Sequence, residues 1–317
     1  MKGRKLIRKP GNLFRNPLKE SRKPRGAPRK SCALMPEHVI IFNPKSRSEK
    51  SRDLADVLRE LAPEAELRMT SETGDARRLA AEAAREGFRV VSAAGGDGTV
   101  NGVANGLAGS GVALGVLPIG TMNVFAKEHG LPEKLDEAWA VIRAGSQREI
   151  DLLAANDTHF IQLAGVGLDA QVVKETTWES KKNLGPLSYL ISAAQIASRT
   201  PPKLVIEAGG RESEGSFVLI GNGRFYGAKI VLFPKARVDD GLLDVLIFKN
   251  IGYLDIAKYL AGVLLGRHTG MDGVEYFQVA EATVRSEQEV PVEVDGELSG
   301  VLPVTFRVAG KLRLCVP

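Results

Sequence analysis

Apolar and polar positions alternate in blocks along residues 38–144. Four short apolar runs, each bounded by polar residues or glycine, predict buried strands at 39–42, 65–69, 90–94 and 112–117. Between and after them, apolar residues recur at helical spacing and predict helices around 54–61, 76–83, 100–107, 124–126 and 135–142. This alternation is typical of an α/β layer with a parallel sheet, whose ligands bind beyond the carboxyl ends of the strands.

Beyond Gly145 strand patterns dominate. Short runs separated by turn residues predict strands at 148–154, 160–163, 203–208, 216–220, 229–233 and 243–248. Two helical segments, 184–198 and 253–265, interrupt them, and their apolar faces either pack on a sheet or border an apolar cleft. Since 317 residues exceed what one core usually serves, we expect an α/β domain over 37–147 and an antiparallel β-sandwich over 148–317.

The N-terminal segment has a different composition. Residues 1–30 hold 12 of the 43 Lys and Arg residues and 1 of the 38 acidic residues, which leaves 31 bases against 37 acids elsewhere. Four prolines and few large apolar residues among residues 1–30 indicate disorder, and we expect residues 1–36 to form a disordered basic tail. Such a tail can contact anionic lipid head groups or bind nucleic acid without sequence specificity, or it is inert. We expect no specific nucleic-acid partner.

The sequence also limits location and cysteine chemistry. It has no run of about eighteen apolar residues, and its start lacks the apolar centre of a secretory signal. We therefore expect a cytoplasmic protein, with peripheral association at the inner membrane face through the tail. Cys32 and Cys315 lie far apart without Cys-x-x-Cys spacing, so neither a disulfide framework nor a cysteine metal site is expected.

A glycine-rich turn joins the predicted strand 90–94 to the helix that follows. Its residues are Gly95, Gly96, Asp97, Gly98 and Thr99. The N-terminus of a helix offers unpaired N–H groups and a partial positive charge, and glycines let phosphate oxygens approach the backbone. The turn therefore predicts a phosphate site, although a tight turn with a capped helix would show the same local pattern.

Two acidic clusters lie in the second half of the chain. In the first, Asp239 and Asp240 precede Gly241, a pattern that suits either a hard cation or an ordinary β-turn. In the second, Glu293, Asp295 and Glu297 would share one face of a strand. Three carboxylates on one face would raise the pKa of at least one and fit it for general-base work. The alternative is a solvated, charged hairpin.

Taken in order, the motifs of the chain resemble the diacylglycerol kinase catalytic-domain family over nearly all of residues 37–317. The matching segments are Asn43-Pro44-Lys45-Ser46, Gly-Gly-Asp-Gly-Thr at 95–99, Leu-Pro-x-Gly-Thr-x-Asn at 117–123, the glycine-rich stretch 165–170, Asn222 with Pro234-Lys235-Ala236, Asp-Gly-Leu-Leu-Asp at 240–244, and Asp295-Gly296-Glu297. A single motif would be weak evidence, whereas the ordered set is specific.

The resemblance implies a phosphofructokinase-like nucleotide-binding domain, a lipid-binding β-sandwich, and transfer of the ATP γ-phosphate to a lipid hydroxyl at a membrane surface. Diacylglycerol or a sphingoid base would be the acceptor, and ATP and Mg²⁺ the cofactors. Asp97 would orient the magnesium-bound phosphate, and Glu297 would be the general base. The implied nucleotide-binding residues are Asn43, Ser46, Thr70, Gly95, Gly96, Asp97, Gly98, Thr99, Val100, Asn101, Gly120, Thr121 and Asn123. A structural magnesium would bind Arg237, Asp240 and Leu242, two of them through main-chain oxygens.

Four positions depart from the family pattern. Gly102 replaces a common Glu, Met122 a Gly, Val124 an Asp and Arg47 a Gly. Two carboxylates near the nucleotide are therefore missing, which leaves metal use and the substrate open. Two other functions stay in view: a kinase of another branch of the NAD kinase and phosphofructokinase superfamily, and a non-catalytic lipid or nucleotide sensor. The oligomeric state is also open, with a homodimer as one candidate.

Overall fold

The computed structural model describes residues 37–46, 51–167, 201–227, 230–250 and 252–317. The expected basic tail, the departure at Arg47 and the predicted helix at 184–198 lie outside the described residues. Six α-helices are described: Ser51–Leu61 (α1), Asp75–Glu86 (α2), Asp97–Leu107 (α3), Val124–Glu128 (α4), Leu135–Ala144 (α5) and Tyr253–Leu264 (α6). Short 3₁₀ turns span Pro44–Ser46 and His268–Gly270. None of the described helices is long and apolar enough to cross a bilayer.

The described strands form three sheets. The strands are His38–Phe42 (β1), Glu66–Met69 (β2), Val90–Gly95 (β3), Ala113–Pro118 (β4), Gln147–Ala155 (β5), Thr158–Phe160 (β6), Leu163–Val166 (β7), Leu204–Ala208 (β8), Arg211–Gly215 (β9), Phe217–Gly221 (β10), Phe225–Tyr226 (β11), Ile230–Val231 (β12), Leu243–Phe248 (β13), Val274–Val279 (β14), Glu281–Arg285 (β15), Pro291–Val294 (β16), Glu297–Val301 (β17) and Val304–Cys315 (β18).

In the first sheet, the four strands from the N-terminal part of the chain, β2, β1, β3 and β4, pair in parallel. Its order is β2-β1-β3-β4-β18-β15-β8-β9, and β5 also pairs with β18 and with β6. Strand β1 has helices over both faces, because Ile41 lies in the core cluster under α2 and α3 while Ile40 and Phe42 lie in the cluster with Leu58 of α1 and Trp139 of α5. Burial on both faces explains why these strands are continuous apolar runs.

The second half is the antiparallel sandwich that the sequence predicts. Its separate six-stranded sheet has the order β14-β13-β10-β7-β16-β17. One core cluster holds Val218 and Val245 from that sheet together with Ile206, Val284 and Phe306 from the first sheet. Inward-facing side chains of the two sheets therefore form the core between them.

Strand β18 joins the two halves. Its first part pairs antiparallel with β15, and residues 306–315 pair antiparallel with β5. Its last residues also pair parallel with β4, with Leu314 opposite Leu114. Leu314 and Cys315 are buried in the core clusters of the α/β half. Residues 313–315 of β18 are therefore part of the α/β layer.

Three sequence expectations differ from the structure. Residues 160–163 are not one strand but the bend between β6 and β7, and the run 229–233 contains only the two-residue β12. The expectation that Glu293, Asp295 and Glu297 share a strand face is wrong, because Asp295 and Gly296 adopt left-handed backbone with φ values of 48° and 87°. They form the tight turn between β16 and β17, and Glu293 and Glu297 lie on separate strands.

Candidate active site

Two glycine loops meet at the carboxyl ends of β3 and β4. A Cβ added to Gly120 would lie 2.5 Å from the Cα of Gly96, so the two backbones touch. The N–H groups of Ile119 and Gly120 both donate to the carbonyl of Gly95, at 3.0 and 3.2 Å. Glycine is required here by the close approach of backbone to backbone. The first of these loops leads directly into the N-terminus of α3, the kind of site at which glycine backbone binds phosphate.

A side-chain contact ties the end of β1 to the same loops. Asn43 donates from Nδ2 to Oγ1 of Thr99 at 3.2 Å, and the Thr99 side chain is buried. A Cβ on Gly95 would lie 2.3 Å from that same oxygen. The N–H of Thr70, which follows β2, donates to the carbonyl of Phe42 at 2.9 Å. The ends of β1, β2, β3 and β4 therefore form one continuous edge.

An open cavity of about 360 Å³ lies over this edge. Its lining includes eight of the residues implied by the resemblance: Asn43, Thr70, Gly96, Gly98, Thr99, Gly120, Thr121 and Glu297. Sequence reasoning missed six further lining residues: Lys45, Ser71, Glu72, Thr73, Gly74 and Ala76. Lys45 stands inside a quoted motif and Ser71–Gly74 follow a strand end, so their position at the sheet edge was the available signal.

The other implied nucleotide-binding residues lie near the cavity but not on its lining. Val100 is buried in the core between α2, α3 and the sheet, and Asn101 is buried where Asn105 donates to its side chain. Asn123 has φ of 48° and donates from Nδ2 to the carbonyl of Gly120, which shapes the second glycine loop. The carbonyl of Gly95 holds that loop by accepting the N–H groups of Ile119 and Gly120. Ser46 lies in the 3₁₀ turn after β1.

The wall at 71–75 is held by one carboxylate. Oδ2 of Asp75 accepts hydrogen bonds from the N–H and the hydroxyl of Ser71 and from the N–H of Glu72, and Oδ1 pairs with Arg78 at 2.8 Å. These donors, with the Ser71 main chain contributing most, hold the pKa of Asp75 well below its usual range. The anchored carboxylate fixes the turn that leads into α2.

Asp97 is the first residue of α3, and its carboxylate contacts both α4 and the second half of the chain. Its Oδ1 accepts the N–H of Phe125 at 3.0 Å, at the start of α4, and the side-chain amide of Gln162 at 3.4 Å. Asp97 therefore caps α4 and contacts the bend between β6 and β7 at the same time.

The turn before Glu297 is organised by Asp295. The Asp295 carboxylate accepts the N–H groups of Ile161, Gln162 and Leu163 at 2.9, 3.0 and 2.9 Å. Burial raises the pKa of Asp295 to about 6, against the effect of these three donors, and the nearby charge of Asp97 raises it further. Asp295 thus anchors the turn, and Glu297, which follows it, is exposed and lines the cavity.

Further polar contacts join α3 and α4 to the second half of the chain. Oε2 of Glu128 on α4 accepts the N–H of Phe225 at 2.9 Å, and Asn105 on α3 donates to the carbonyl of His159 at 2.9 Å. Together with the contact between Asp97 and Gln162, these bonds fix α3 and α4 against the second half of the chain at three points.

The acidic turn at 237–242 is held by protein groups. The buried carboxylate of Asp151 accepts the N–H of Gly241 at 2.9 Å and pairs with Lys311 at 2.6 Å. Asp240 accepts the N–H of Leu242 at 3.0 Å through Oδ1. In the part of the chain that the structure describes, no group of three His, Cys, Asp or Glu residues could hold a metal ion. One carboxylate and main-chain carbonyls are nevertheless the hard oxygen donors that suit magnesium, which commonly keeps several of its waters.

Two of the departures have a visible structural setting. A Cβ on Gly102 would lie 2.9 Å from that of Ala76, so α2 and α3 pack too closely for a larger residue without a shift. Met122 is partly exposed beside the second glycine loop, and its Cε lies 3.8 Å from where a Cβ of Gly227 would stand. The Met122 side chain therefore lies close to Gly227 in the second half of the chain. Nothing in the structure explains Val124 in place of an acidic residue.

Comparison with known proteins assigns both halves. The diacylglycerol kinase catalytic domain model matches residues 37–155, and the YegS C-terminal NAD kinase beta sandwich-like domain model matches residues 163–316. A "Probable lipid kinase YegS-like" from Chromohalobacter salexigens is 36% identical over 266 residues, which cover 81% of this chain and 86% of that protein. A "Probable lipid kinase YegS" from Salmonella paratyphi A is 39% identical over 225 residues, which cover 68% of this chain and 75% of that protein.

Solved structures agree in fold. A diacylglycerol kinase from Bacillus anthracis superposes with a TM-score of 0.71 at 26% identity, over 89% of this chain and 97% of that one. A second structure from the same organism gives a TM-score of 0.75 at 25% identity, over 89% of this chain and 95% of that one. With two matched domain models in order and a relative at 36% identity over most of the chain, the protein belongs to the YegS-like lipid kinase family, built on a diacylglycerol kinase catalytic domain.

Proposed function

We propose that this lipid kinase transfers the γ-phosphate of ATP to a hydroxyl of diacylglycerol, a sphingoid base or a related amphiphile. The observation that carries the proposal is that Glu297, the first residue of β17, lines the same cavity as the glycine loops after β3 and β4. A donor site and a candidate base from opposite halves of the chain thus face one space, as in-line phosphoryl transfer requires.

Each group has a chemical task in this proposal. The N–H groups near Gly96, Gly98 and Gly120 and the hydroxyl of Thr121 bind the phosphates of ATP. Glu297 accepts the proton of the lipid hydroxyl while the hydroxyl oxygen forms a bond to the γ-phosphorus. The bond from that phosphorus to the β–γ bridging oxygen breaks, and ADP leaves. No covalent enzyme intermediate is needed, because positioning and charge neutralisation account for most of the catalysis.

Magnesium would neutralise phosphate charge when bound with the nucleotide. Asp97 would orient the magnesium-bound phosphate, and Asp240 with the main-chain oxygens of Arg237 and Leu242 would hold a second, structural ion. The expected result for the second site is that Mg²⁺ without nucleotide raises the thermal midpoint of the wild type and does so less in Asp240→Asn. An equal response in both proteins would remove Asp240 from the metal site.

The decisive experiment offers several acceptors to the purified full chain. Labelled ATP and Mg²⁺ are supplied with detergent micelles that contain diacylglycerol, a sphingoid base or neither, and with NAD or a sugar phosphate as soluble acceptors. Label in a lipid supports the proposal and names the acceptor class. Label only in a soluble acceptor favours another branch of the superfamily. ATP binding without transfer to any acceptor favours a non-catalytic sensor.

A further inference from the structure

Gln162 has a backbone that is fixed on both sides. Its N–H donates to Oδ1 of Asp295 at 3.0 Å, and its carbonyl accepts the N–H of Asn222 at 3.0 Å. Asn222 is almost fully buried, and its side chain donates to the carbonyl of Asp151 at 2.9 Å. The Gln162 side chain therefore extends from a rigid point in the second half of the chain.

That side chain reaches Asp97, the first residue of α3. Nε2 of Gln162 lies 3.4 Å from Oδ1 of Asp97, the oxygen that also accepts the N–H of Phe125. The amide must present its NH₂ end, because its oxygen would repel a carboxylate. At 3.4 Å the bond is longer than the usual length of about 2.7–3.2 Å for an N–H···O hydrogen bond.

The same bend is attached to the turn that carries Glu297. Asp295 accepts three consecutive N–H groups from residues 161–163, and its own N–H donates to the carbonyl of Leu163 at 2.8 Å. Glu297 follows two residues later. The bend and the turn are therefore tied as one unit, and any shift of Glu297 relative to Asp97 must stretch the contact that Gln162 makes.

We propose that Gln162 is a positioning residue that couples the Asp97 end of the phosphate-binding loop to the turn carrying Glu297. The inference rests on the proposed function for its kinetic consequence, but not for the coupling itself. A neutral amide also suits this place electrostatically, because it separates two carboxylates, Asp97 and Asp295, that repel each other.

The chain offers a matched control. Nε2 of Gln278 on β14 donates to Oδ2 of Asp244, also at 3.4 Å. Neither glutamine lines the cavity, so the two substitutions differ in which carboxylate loses its amide partner. We expect Gln162→Ala to lower kcat by about 10- to 100-fold, the scale of a misplacement near 1 Å, and to leave KM for ATP unchanged, because the glycine loops stay intact. Gln278→Ala should leave both constants unchanged. Thermal midpoints of all variants establish that they fold.

Gln162→Glu gives a second signature, in the pH profile. The new carboxylate, when ionised, faces Asp97 with like charge, whereas its protonated form regains an O–H donor. The ratio of the variant's kcat to that of the wild type should therefore rise as the pH falls. A ratio that does not change with pH would contradict the coupling, because a purely structural loss has no reason to titrate.

Hydrogen exchange tests the coupling without turnover. In the nucleotide-free protein, Gln162→Ala should speed exchange of the Phe125 amide, which shares Oδ1 of Asp97, while Gln278→Ala should not. An unchanged kcat, an equal loss in both alanine variants, or unchanged exchange at Phe125 overturns the inference. If the wild type phosphorylates no lipid, the proposed function fails, and the exchange experiment alone decides whether Gln162 couples the two elements.

Discussion

At the scale of single residues, the packing of the two glycine loops depends on the contact between Gly96 and Gly120. We predict that Gly120→Ala lowers the free energy of unfolding by about 1–3 kcal/mol, the usual cost of overpacking, because the new Cβ would lie 2.5 Å from a backbone atom. Affinity for ATP should fall with it. Chemical denaturation and calorimetric titration measure the two effects.

Gly98 is the control for that substitution. A Cβ on Gly98 has no neighbour within 4 Å, although this glycine lines the same cavity. Gly98→Ala should therefore cause no loss of stability. If both variants unfold at the same denaturant concentration, the close approach of the two loops is not what makes Gly120 necessary.

The proposed proton acceptor is also a single residue, Glu297. We predict that Glu297→Gln keeps ATP binding but lowers turnover by about two orders of magnitude or more, the scale of a lost general base. Glu289→Gln, at an exposed glutamate in the same half of the chain, should leave turnover unchanged. Lipid phosphorylation by Glu297→Gln at the wild-type rate would exclude Glu297 as the base.

At the scale of elements, the start of α2 should show a defined pH dependence. Because its donors lower the pKa of Asp75, its contribution to stability is present above the ordinary value of 3.8 and is lost as the pH falls below that value. We predict that Asp75→Asn lowers the thermal midpoint at pH 7 and that the difference from wild type shrinks as the pH falls from about 4.

Thermal denaturation between pH 2 and 7 measures this difference. Glu82→Gln is a useful control, because Glu82 pairs with Arg78 from the exposed side of α2. It should have a smaller effect at every pH. A difference for Asp75→Asn that stays constant over the whole range would show that the charge of Asp75 does not stabilise the turn.

At the scale of the whole molecule, charge is unevenly divided, since residues 1–30 carry a net +11 and the remainder a net −6. We predict that deleting residues 1–30 weakens binding to anionic vesicles at low salt and leaves the thermal midpoint unchanged. Each basic residue near such a surface contributes about 1 kcal/mol, and salt screens it.

Vesicle sedimentation at two salt concentrations measures that binding, with neutral phosphatidylcholine vesicles as the control. If the shortened chain sediments with anionic vesicles as the full chain does, membrane contact lies elsewhere on the protein. If the full chain binds neutral and anionic vesicles equally, the basic segment is not the reason for binding.

Much of the fold was predictable from sequence because its signals are local. The buried strands β1, β3 and β4 are continuous apolar runs, and the amphipathic helices between them repeat at helical spacing. The bend at 160–163 was not predictable, because Asp295, more than 130 residues away in sequence, accepts the N–H groups that would otherwise continue a strand. Partners so distant leave no pattern in the segment that they shape.

The sequence by itself determined the two-domain class, the glycine loops and the family, since each rests on residue types in a fixed local order. The tertiary structure decided which of those residues share a space. It brings Glu297 to the cavity of Gly96 and Gly120, leaves Val100 and Asn101 in the packed interior, and returns β18 to the first sheet beside β4. Residues of the two halves come close because strands from distant segments of the chain pair with each other. The local sequence of a glycine turn cannot specify which distant residue will lie opposite it.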